Sequence, residues 1–352
     1  MKKYSTERKI KMSYLEENLY TKIPLKFNSD GKFKILMVSD VHGRDNHNPR
    51  TAAAFRTVVE HAEPDLVLIG GDTIHNMTGE NDEELLEKIY EFIKDLTEVL
   101  EEKKIPWAHV FGNHDWNCGL TNAQQQPAYE RFEHNISKRG PKEISGMANY
   151  VLPIRAHDSD EIIYNVWGLD SHDTLGVFAK DCNNSEISRL PNPMGLIGGS
   201  DTIRFDQMMW YWNSSVEMEK YCGKKIPGMM FFHIPLPEFR LAPANPVETD
   251  LQGHVNEGVG CSGINSGLFA EILQRGDIKT VVCGHDHNIE FYSKVCGINL
   301  CFDGGLSFDG YCLSSIRGGR IIEIDEKDPW NINTYMVHYM DITDNPDKYF
   351  NT

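Results

Sequence analysis

Five short segments of this sequence carry histidine, aspartate and asparagine in patterns that suit metal binding. They are Asp40-Val41-His42, Gly71-Asp72, Gly112-Asn113-His114-Asp115, His233 and Gly284-His285-Asp286-His287. Each segment follows an apolar run typical of a buried strand, so we expect the ligands at strand ends, where α/β proteins form their active sites. Carboxylates, imidazoles and an amide in this number suit a pair of divalent cations. The sequence therefore predicts one dinuclear metal centre.

Asp72 is the expected bridge between the two cations. Cations about 3.5–4 Å apart repel each other, so a carboxylate must lie between them. The expected ligands of one metal are Asp40, His42, Asp72 and His287, and those of the other are Asp72, Asn113, His233 and His285. A water shared by both cations would lose its proton near neutral pH and attack phosphorus in line with the leaving group.

His114 follows the expected ligand Asn113 and is the predicted general acid, because imidazole holds and releases a proton near neutral pH with little tuning. Asp115 is predicted to orient His114 or a metal-bound water through a hydrogen bond. The candidate substrate contacts are Arg44, His75 and His254.

The ordered set D-x-H, GD, GNHD, a lone histidine after an apolar strand, and GHDH resembles the calcineurin-like metallophosphoesterase superfamily, from Phe33 to about Phe302. The residues Ile234-Pro235-Leu236-Pro237 that follow His233 are similar to the branch of Dcr2-type and purple-acid-phosphatase-related phosphatases. The resemblance implies phosphoester hydrolysis. It also implies a fold of the α/β (α+β) class, a four-layer α-β-β-α sandwich with two mixed sheets.

The sequence departs from purple acid phosphatases at two positions. Those enzymes have a tyrosinate iron ligand three residues after the bridging aspartate and lack the histidine of the first motif, whereas this chain has His75 and His42 there. Without a phenolate to favour ferric iron, we expect two divalent ions, manganese, iron or zinc. Nitrogen and oxygen ligands do not choose among these metals.

The chain has 352 residues and a formal net charge of −17. Because the expected ligands span both halves, we predict one phosphoesterase domain over residues 31–340, with an N-terminal extension over 1–30 and a tail over 341–352. A strongly acidic surface repels polyphosphate backbones, so nucleic acid is not the expected substrate.

Three basic residues, Arg44, Arg317 and Arg320, are expected to offset the acidic charge at the mouth of the site. The basic start of the chain, Lys2 and Lys3, is not followed by an apolar run as long as an export signal or a membrane span. The eight cysteines form no CxxC pair and are interpreted as reduced thiols. We therefore expect a cytoplasmic protein with no membrane partner.

Hydrophobic periodicity predicts the elements that position the site. Helices are expected over 51–61, 82–103, 204–220 and 267–275, and second-half strands near 149–153, 162–169, 228–232, 280–283, 291–295, 298–302, 321–325 and 333–339. The segments 171–203 and 240–266 are predicted to be long loops that wall the substrate.

Three functions remain open on the sequence. The first is a phosphomonoesterase acting on a small phosphorylated metabolite or a phosphoprotein, which the acidic surface and the resemblance favour. The second is a phosphodiesterase acting on nucleotides or lipid head groups, since the same metals serve both reactions. The third, a non-catalytic interaction protein on the same fold, is disfavoured because every expected ligand and His114 are present.

Overall fold

Two mixed β-sheets form the centre of the molecule in a computed structural model, which describes residues 15–191, 195 and 198–344. Residues 1–14 of the expected N-terminal extension, residues 345–352 of the expected tail and parts of the expected loop 171–203 lie outside the described residues. The first sheet has eight strands and the second has five. The two mixed sheets confirm the fold class predicted from the sequence.

The strands are β1 (Leu25–Lys26), β2 (Lys32–Val38), β3 (Leu66–Ile69), β4 (Trp107–His109), β5 (Tyr150–Arg155), β6 (Ile162–Gly168), β7 (Gly228–Phe232), β8 (Gln252–Val255), β9 (Ile278–Cys283), β10 (Ile289–Val295), β11 (Ile298–Phe302), β12 (Gly318–Asp325) and β13 (Ile332–His338). The helices are α1 (Pro49–Ala62), α2 (Asp82–Lys103), α3 (Asn122–Tyr129), α4 (Leu175–Asp181), α5 (Phe205–Cys222), α6 (Leu241–Ala244), α7 (Leu268–Arg275) and α8 (Tyr339–Ile342).

The eight-stranded sheet has the order β1-β5-β6-β7-β9-β11-β10-β8, and the five-stranded sheet has the order β13-β12-β2-β3-β4. Strands β2, β3 and β4 run parallel to one another, and so do β6, β7 and β9. Parallel neighbours end at the same edge of their sheet, so the loops after β2, β3, β4, β7 and β9 can meet.

Alternate residues of the eight-stranded sheet enter two different cores. Met229 and Phe231 of β7 pack in the core that contains β2, β3, α1 and α2, whereas Met230 and Phe232 pack in the core that contains α5 and α7. This alternation is the period-two pattern of a strand covered on both faces. The layers are therefore helices, the five-stranded sheet, the eight-stranded sheet and helices, as the resemblance implies.

Helix α2 shows how closely local sequence signals set an element. The side chain of Asn81 caps the helix by accepting a hydrogen bond from Glu84 N. The acidic residues of the first turn stabilise the helix because their negative charge lies at the positive end of the helix dipole. Its apolar stripe, Leu85, Ile89, Phe92, Ile93, Leu96 and Leu100, is buried. The observed bounds match the predicted ones.

The two expected long loops contain regular structure. The first holds α4, and the second holds α6 and the edge strand β8. These elements are only four to seven residues long, too short for a periodic apolar pattern to show in the sequence. Within the described residues, no helix combines the length and the apolar character needed to cross a membrane.

Candidate metal centre

Side chains from the ends of five strands, in both sheets, meet in one buried region. Two groups of residues have ligand atoms close enough together to hold an ion: Asp40, His42 and His287 form the first, and Asp72, His233 and His285 form the second. Six of the seven residues predicted as ligands therefore lie in two groups, and Asp72 belongs to the second group by its distances.

The first group is compact. His42 Nε2 lies 2.9 Å from His287 Nε2 and 3.7 Å from Asp40 Oδ1, and His287 Nε2 lies 3.2 Å from Asp40 Oδ1. Ligand atoms that bind one ion at about 2.1 Å are separated from one another by about 3.0–3.4 Å, depending on the coordination angle. The atoms of this group therefore already outline a coordination shell.

The second group has similar spacing. His233 Nε2 lies 3.1 Å from Asp72 Oδ2 and 3.4 Å from His285 Nδ1. Asp72 Oδ2 also lies 3.9 Å from His42 Nε2 of the first group. A single oxygen of Asp72 is thus within reach of both groups, which is the position required of a bridging carboxylate.

Three buried oxygens at this centre have no hydrogen-bond partner: Asp40 Oδ1, Asp72 Oδ2 and Asn113 Oδ1. The other oxygen of each aspartate is used by the protein. Asp40 Oδ2 accepts from Ser39 Oγ at 2.5 Å and from His285 N at 2.9 Å, and Asp72 Oδ1 accepts from His114 N at 2.7 Å. Since unpaired buried carboxylate oxygens are costly, the free oxygens of Asp40 and Asp72 fit a site for two cations. Asn113 Oδ1 is a third unpaired oxygen, on the loop that carries His114.

The backbone that carries these ligands continues the parallel ladder of β2 and β3 beyond the strands. Asp40 N donates to Gly71 O, His42 N donates to Asp72 O, and Gly43 N donates to Thr73 O. Asp40, His42 and Asp72 all have positive φ angles between 50° and 56°. Side chains other than glycine rarely adopt this conformation, and such strain is concentrated at functional sites.

Two glycines of the motifs are required by close approach. A Cβ atom on Gly112 would overlap Asp72 and His233, and one on Gly284 would overlap Ser39 and Asp40. The glycines therefore allow the loops from the two sheets to pack against each other.

Three of the four ligand histidines are oriented through their second ring nitrogen. His233 Nδ1 lies 2.9 Å from Gly70 O, His287 Nδ1 lies 2.5 Å from Tyr311 O, and His285 Nε2 lies 3.2 Å from Ser200 Oγ. An N–H held by an oxygen leaves the other nitrogen of the ring with its lone pair directed at the metal position. The Tyr311 ring also stacks on His287, with centroids 4.1 Å apart.

The protonation of the metal-free centre follows from its charges. Burial disfavours the charged form of His233 and His287. The negative charges of Asp72 and Asp40 outweigh the effect of burial, and they raise the pKa of His233 to about 10 and that of His287 to about 9. Burial dominates for His285 and lowers its pKa to about 3. Cations that occupy the centre must therefore displace protons from His233 and His287, so metal uptake should release protons.

His114 lies beside the centre and belongs to neither ligand group. Its ring is partly exposed, 5.2 Å from the His42 ring between centroids, and its Nδ1 lies 2.6 Å from Asn117 Oδ1. A ring in this position can reach a substrate bound at the metals. The sequence did not single out Asn117, although its position three residues after His114, in the turn Asp115–Cys118, was a usable signal for this contact.

The carboxylate of Asp115 contacts the backbone, and its expected role in orienting His114 or a metal-bound water stays a prediction. Its Oδ1 accepts from Ile74 N at 2.8 Å and its Oδ2 accepts from Gly112 N at 2.7 Å, so both oxygens are taken by backbone amides. Burial, followed by the charge of Asp72, raises its pKa to about 7. Asp115 ties the loop that carries Asp72 to the loop that carries Asn113, and Asn117 is the residue whose side chain contacts the His114 ring.

The three candidate substrate contacts are not together. Arg44 Nη2 lies 3.3 Å from His75 Nδ1, and the His75 ring lies 4.2 Å from the His114 ring between centroids. Burial, followed by the charge of His114, lowers the pKa of His75 to about 4. His254 instead lies on the edge strand β8 with 61% of its side chain exposed, and its nearest ionic partner is Glu290 at 3.8 Å.

The expectation that Arg317 and Arg320 lie at the mouth was wrong. Their exposed fractions are 1% and 2%. Arg317 donates to the carbonyls of Ser307 and Cys312, and Arg320 donates to Phe302 O of the opposite sheet. Both guanidinium groups therefore serve packing, and of the three expected arginines only Arg44 remains beside the site.

Comparison with known proteins finds similar sequences. The sequence model of the calcineurin-like phosphoesterases matches residues 33–288. "Probable inactive purple acid phosphatase 29" of Arabidopsis thaliana is 28% identical over 336 residues, which cover 86% of this chain and 79% of that protein. "Phosphatase DCR2" of Saccharomyces cerevisiae is 28% identical over 308 residues, which cover 80% of this chain and 49% of that protein.

A solved structure supports the fold. The crystal structure of a dimetal phosphatase from Danio rerio superposes with a TM-score of 0.51 at 12% sequence identity, over 87% of this chain and 99% of that chain. At this identity the likeness concerns the fold alone.

Proposed function

Because this chain belongs to the calcineurin-like phosphoesterase family, a family of hydrolases, we propose that it is a two-metal phosphomonoesterase acting on a small phosphorylated metabolite or a phosphoprotein. The observation that carries the proposal is the position of Asp40 Oδ1 and Asp72 Oδ2, both buried and unpaired, within two groups of histidines. Two bound divalent cations supply Lewis acidity at such a site, both for activating water and for neutralising charge on the phosphoryl oxygens.

The residues around the centre divide the remaining work. Asp40, His42, Asp72 and His287 would hold one cation, and Asp72, Asn113, His233 and His285 would hold the other. His114 protonates the leaving oxygen from Nε2, because its Nδ1 hydrogen is engaged by Asn117 Oδ1. Ser200 and the carbonyls of Gly70 and Tyr311 keep three of the imidazoles in the ligand orientation.

The balance of charge favours a monoester of modest size over a polyanionic strand. The chain carries 52 acidic and 35 basic residues, and of the three arginines expected at the mouth only Arg44 lies there. A long phosphodiester backbone needs many cationic contacts. Loss of two of the three expected arginines from the mouth supports recognition of a small phosphate ester.

The names of some relatives include the word inactive. In this chain all seven ligand residues and the partly exposed His114 are present, which supports catalysis here. A non-catalytic protein would have no need for the unpaired oxygens or for a general acid beside them.

A metal-supplemented screen tests the proposal. Protein stripped of metal and reloaded with Mn²⁺, Fe²⁺ or Zn²⁺ is assayed with an aryl phosphate monoester, an aryl phosphate diester and a panel of natural phosphate esters. We expect metal-dependent hydrolysis of the monoester at the higher kcat/KM. Preference for the diester would overturn the monoesterase assignment, and no hydrolysis with two metals bound would favour the non-catalytic alternative. Asp40→Asn is the control for contaminating phosphatases.

We also propose a cytoplasmic location. All eight cysteines are free, and Cys261, Cys283, Cys301 and Cys312 are buried as small core residues. Free thiols persist in a reducing compartment. Fractionation of cells that produce the protein with a small tag tests this proposal, and recovery in a secreted or membrane fraction would contradict it.

A further inference from the structure

Two imidazoles outside the ligand groups lie side by side at the metal centre. The rings of His75 and His114 are 4.2 Å apart between centroids, with their planes inclined by 34°. Each ring is also close to the ligand His42, at 5.1 Å for His75 and 5.2 Å for His114. Both are partly exposed, so both can contact a bound substrate.

Each ring is held through its Nδ1 atom, His114 by a hydrogen-bond acceptor and His75 by a hydrogen-bond donor. His114 Nδ1 lies 2.6 Å from Asn117 Oδ1, and a carbonyl oxygen only accepts hydrogen bonds. The Nδ1 atom of His114 therefore carries a hydrogen that Asn117 Oδ1 accepts. Nε2 is the ring atom left to face a leaving group.

His75 has the reverse arrangement. Its Nδ1 lies 3.3 Å from Arg44 Nη2, and a guanidinium group only donates hydrogen bonds. Nδ1 of His75 must therefore accept, and the hydrogen of the neutral ring is on Nε2. The atom available to the substrate is a permanent N–H donor, and it has no lone pair with which to bind a metal.

The backbone holds Arg44 and His75 in register. Gly43 N donates to Thr73 O and His75 N donates to Gly43 O, both at 2.8 Å, so the two residues extend the ladder that carries the ligands. Arg44 forms no ion pair with a carboxylate among the residues that the structure describes, although the chain has 52 acidic residues. Its buried Nε also lacks a partner. The side chain is thus committed to His75.

From this arrangement we infer that His75 Nε2–H binds a non-bridging oxygen of the substrate phosphoryl group, and that Arg44 is a positioning residue that fixes the tautomer of His75. The inference rests on the proposed phosphoesterase function and deepens it. The two histidines divide their work: His114 delivers a proton to the leaving oxygen, whereas His75 keeps its proton and stabilises charge on the phosphoryl oxygens.

Kinetics of matched variants test the role of His75. His75→Phe removes the donor and should lower kcat/KM for an aryl phosphate on the order of 10²-fold, the scale for one lost oxyanion donor, with metal content unchanged. His75→Gln keeps an N–H donor and should recover most of the loss. His47→Phe, a change of the same kind in a loop histidine that pairs with Asp95, is the control and should have little effect.

Arg44 variants test whether that residue acts through His75. Arg44→Met should lower kcat/KM about tenfold, the lower end of the range for a residue that orients a functional imidazole. Arg44→Lys keeps a donor and should recover activity. In His75→Phe, adding Arg44→Met should cost nothing more, because the group that it positions is gone.

The tautomer is measured without turnover. In metal-free protein labelled with ¹⁵N at histidine, couplings between ring nitrogens and ring protons identify the protonated nitrogen, and His75→Phe assigns the signal. We expect the proton on Nε2 in the wild type, on both nitrogens in Arg44→Met, and on Nδ1 in Arg44→Glu, whose carboxylate accepts.

Three results would overturn the inference: a wild-type proton on Nδ1, unchanged kcat/KM in His75→Phe, or loss of metal from that variant, which would make His75 a ligand. Failure of the proposed function is a separate result, the absence of wild-type turnover with every phosphoester. In that case the tautomer measurement still tests whether Arg44 fixes the tautomer of His75. Calorimetric binding of inorganic phosphate to metal-loaded wild type and His75→Phe then tests whether His75 donates to a phosphoryl oxygen. Equal binding to both would reject the donor role.

Discussion

The metal centre has a floor and a rim, and the two are held in different ways. The floor consists of the seven expected ligands, Asp40, His42, Asp72, Asn113, His233, His285 and His287. The rim consists of Arg44, His75, His114 and Tyr311. Floor residues lie directly after strands of both sheets and are fixed by backbone hydrogen bonds and buried packing. Rim residues lie on partly exposed loops, where single side-chain contacts orient the rings.

The difference separates two tasks. The floor must hold like charges and unpaired oxygens together before a cation arrives, which requires support from both sheets. The rim must hold rings in one tautomer beside a substrate. A hydrogen bond donated by Arg44 to His75 and one accepted by Asn117 Oδ1 from His114 serve this task. Floor variants should therefore change metal content and activity together, and rim variants should change activity alone.

Asp72→Asn should have the largest effect. The amide lacks the charge that lets one oxygen serve both ligand groups, so we expect loss of at least one bound metal and activity at the level of the metal-free protein. Elemental analysis and assay with the aryl monoester measure both. Two retained metals with an unchanged rate would remove Asp72 from the bridging position.

His114→Ala should have the second-largest effect on activity, and it should show that a rim variant can lose activity without losing metal. Metal content should be unchanged, and hydrolysis of esters with poor leaving groups should slow by about 10²–10⁴-fold, the usual contribution of a general acid. The loss should be smaller for an activated aryl phosphate, whose leaving oxygen needs less protonation. An equal loss for all leaving groups would indicate positioning instead of proton transfer.

Asn117→Ala, which removes the side-chain contact of the rim residue His114, should have a smaller effect. Without the Asn117 oxygen, both tautomers of His114 become accessible. The rate for poor leaving groups should then fall about tenfold, which is less than the loss expected when the general acid itself is removed. Asn117→Asp keeps an acceptor at that place and is the matched control. Equal rates for the wild type and Asn117→Ala would show that His114 is oriented by another contact.

The sequence predicted the floor better than the rim, for physical reasons. Ligand residues directly after apolar runs were placed by the strands that those runs form, so the positions of Asp40, Asp72 and His233 followed from local patterns. The bounds of α2 followed from its cap and stripe. The family resemblance supplied the two-sheet arrangement, which strand periodicity alone does not give.

Contacts between distant segments were not predictable in this way. Tyr311 meets His287 because the loop after β11 folds over the site, and Arg320 is buried because its guanidinium reaches the opposite sheet. Asp115 is engaged by two backbone amides that only the folded loops bring together. Each misplaced residue depends on tertiary packing, which overrides the local preference for exposed charge.

A contact between the sheets, outside both regions, tests whether the floor depends on the strand ends alone. Glu290 of β10 is buried, and it lies 3.5 Å from Arg320 of β12 and 3.5 Å from His338 of β13 in the opposite sheet. His254 lies 3.8 Å from Glu290, and Asp341 lies 3.5 Å from His338. The contact with the Glu290 carboxylate raises the pKa of His338 above its usual value.

His338→Gln should have the smallest effect, and it should depend on pH. A histidine whose pKa is raised by folding contributes stability that is fully present below its unfolded pKa of about 6.5 and is lost as the pH rises through the folded value. The variant should therefore be less stable than the wild type by at most about 1 kcal/mol at pH 6, with the difference vanishing at alkaline pH. Denaturant unfolding across this range measures it. Metal content should not change, because the ligand loops keep their own ladder; a loss of metal would show that the floor needs the sheet–sheet contact as well.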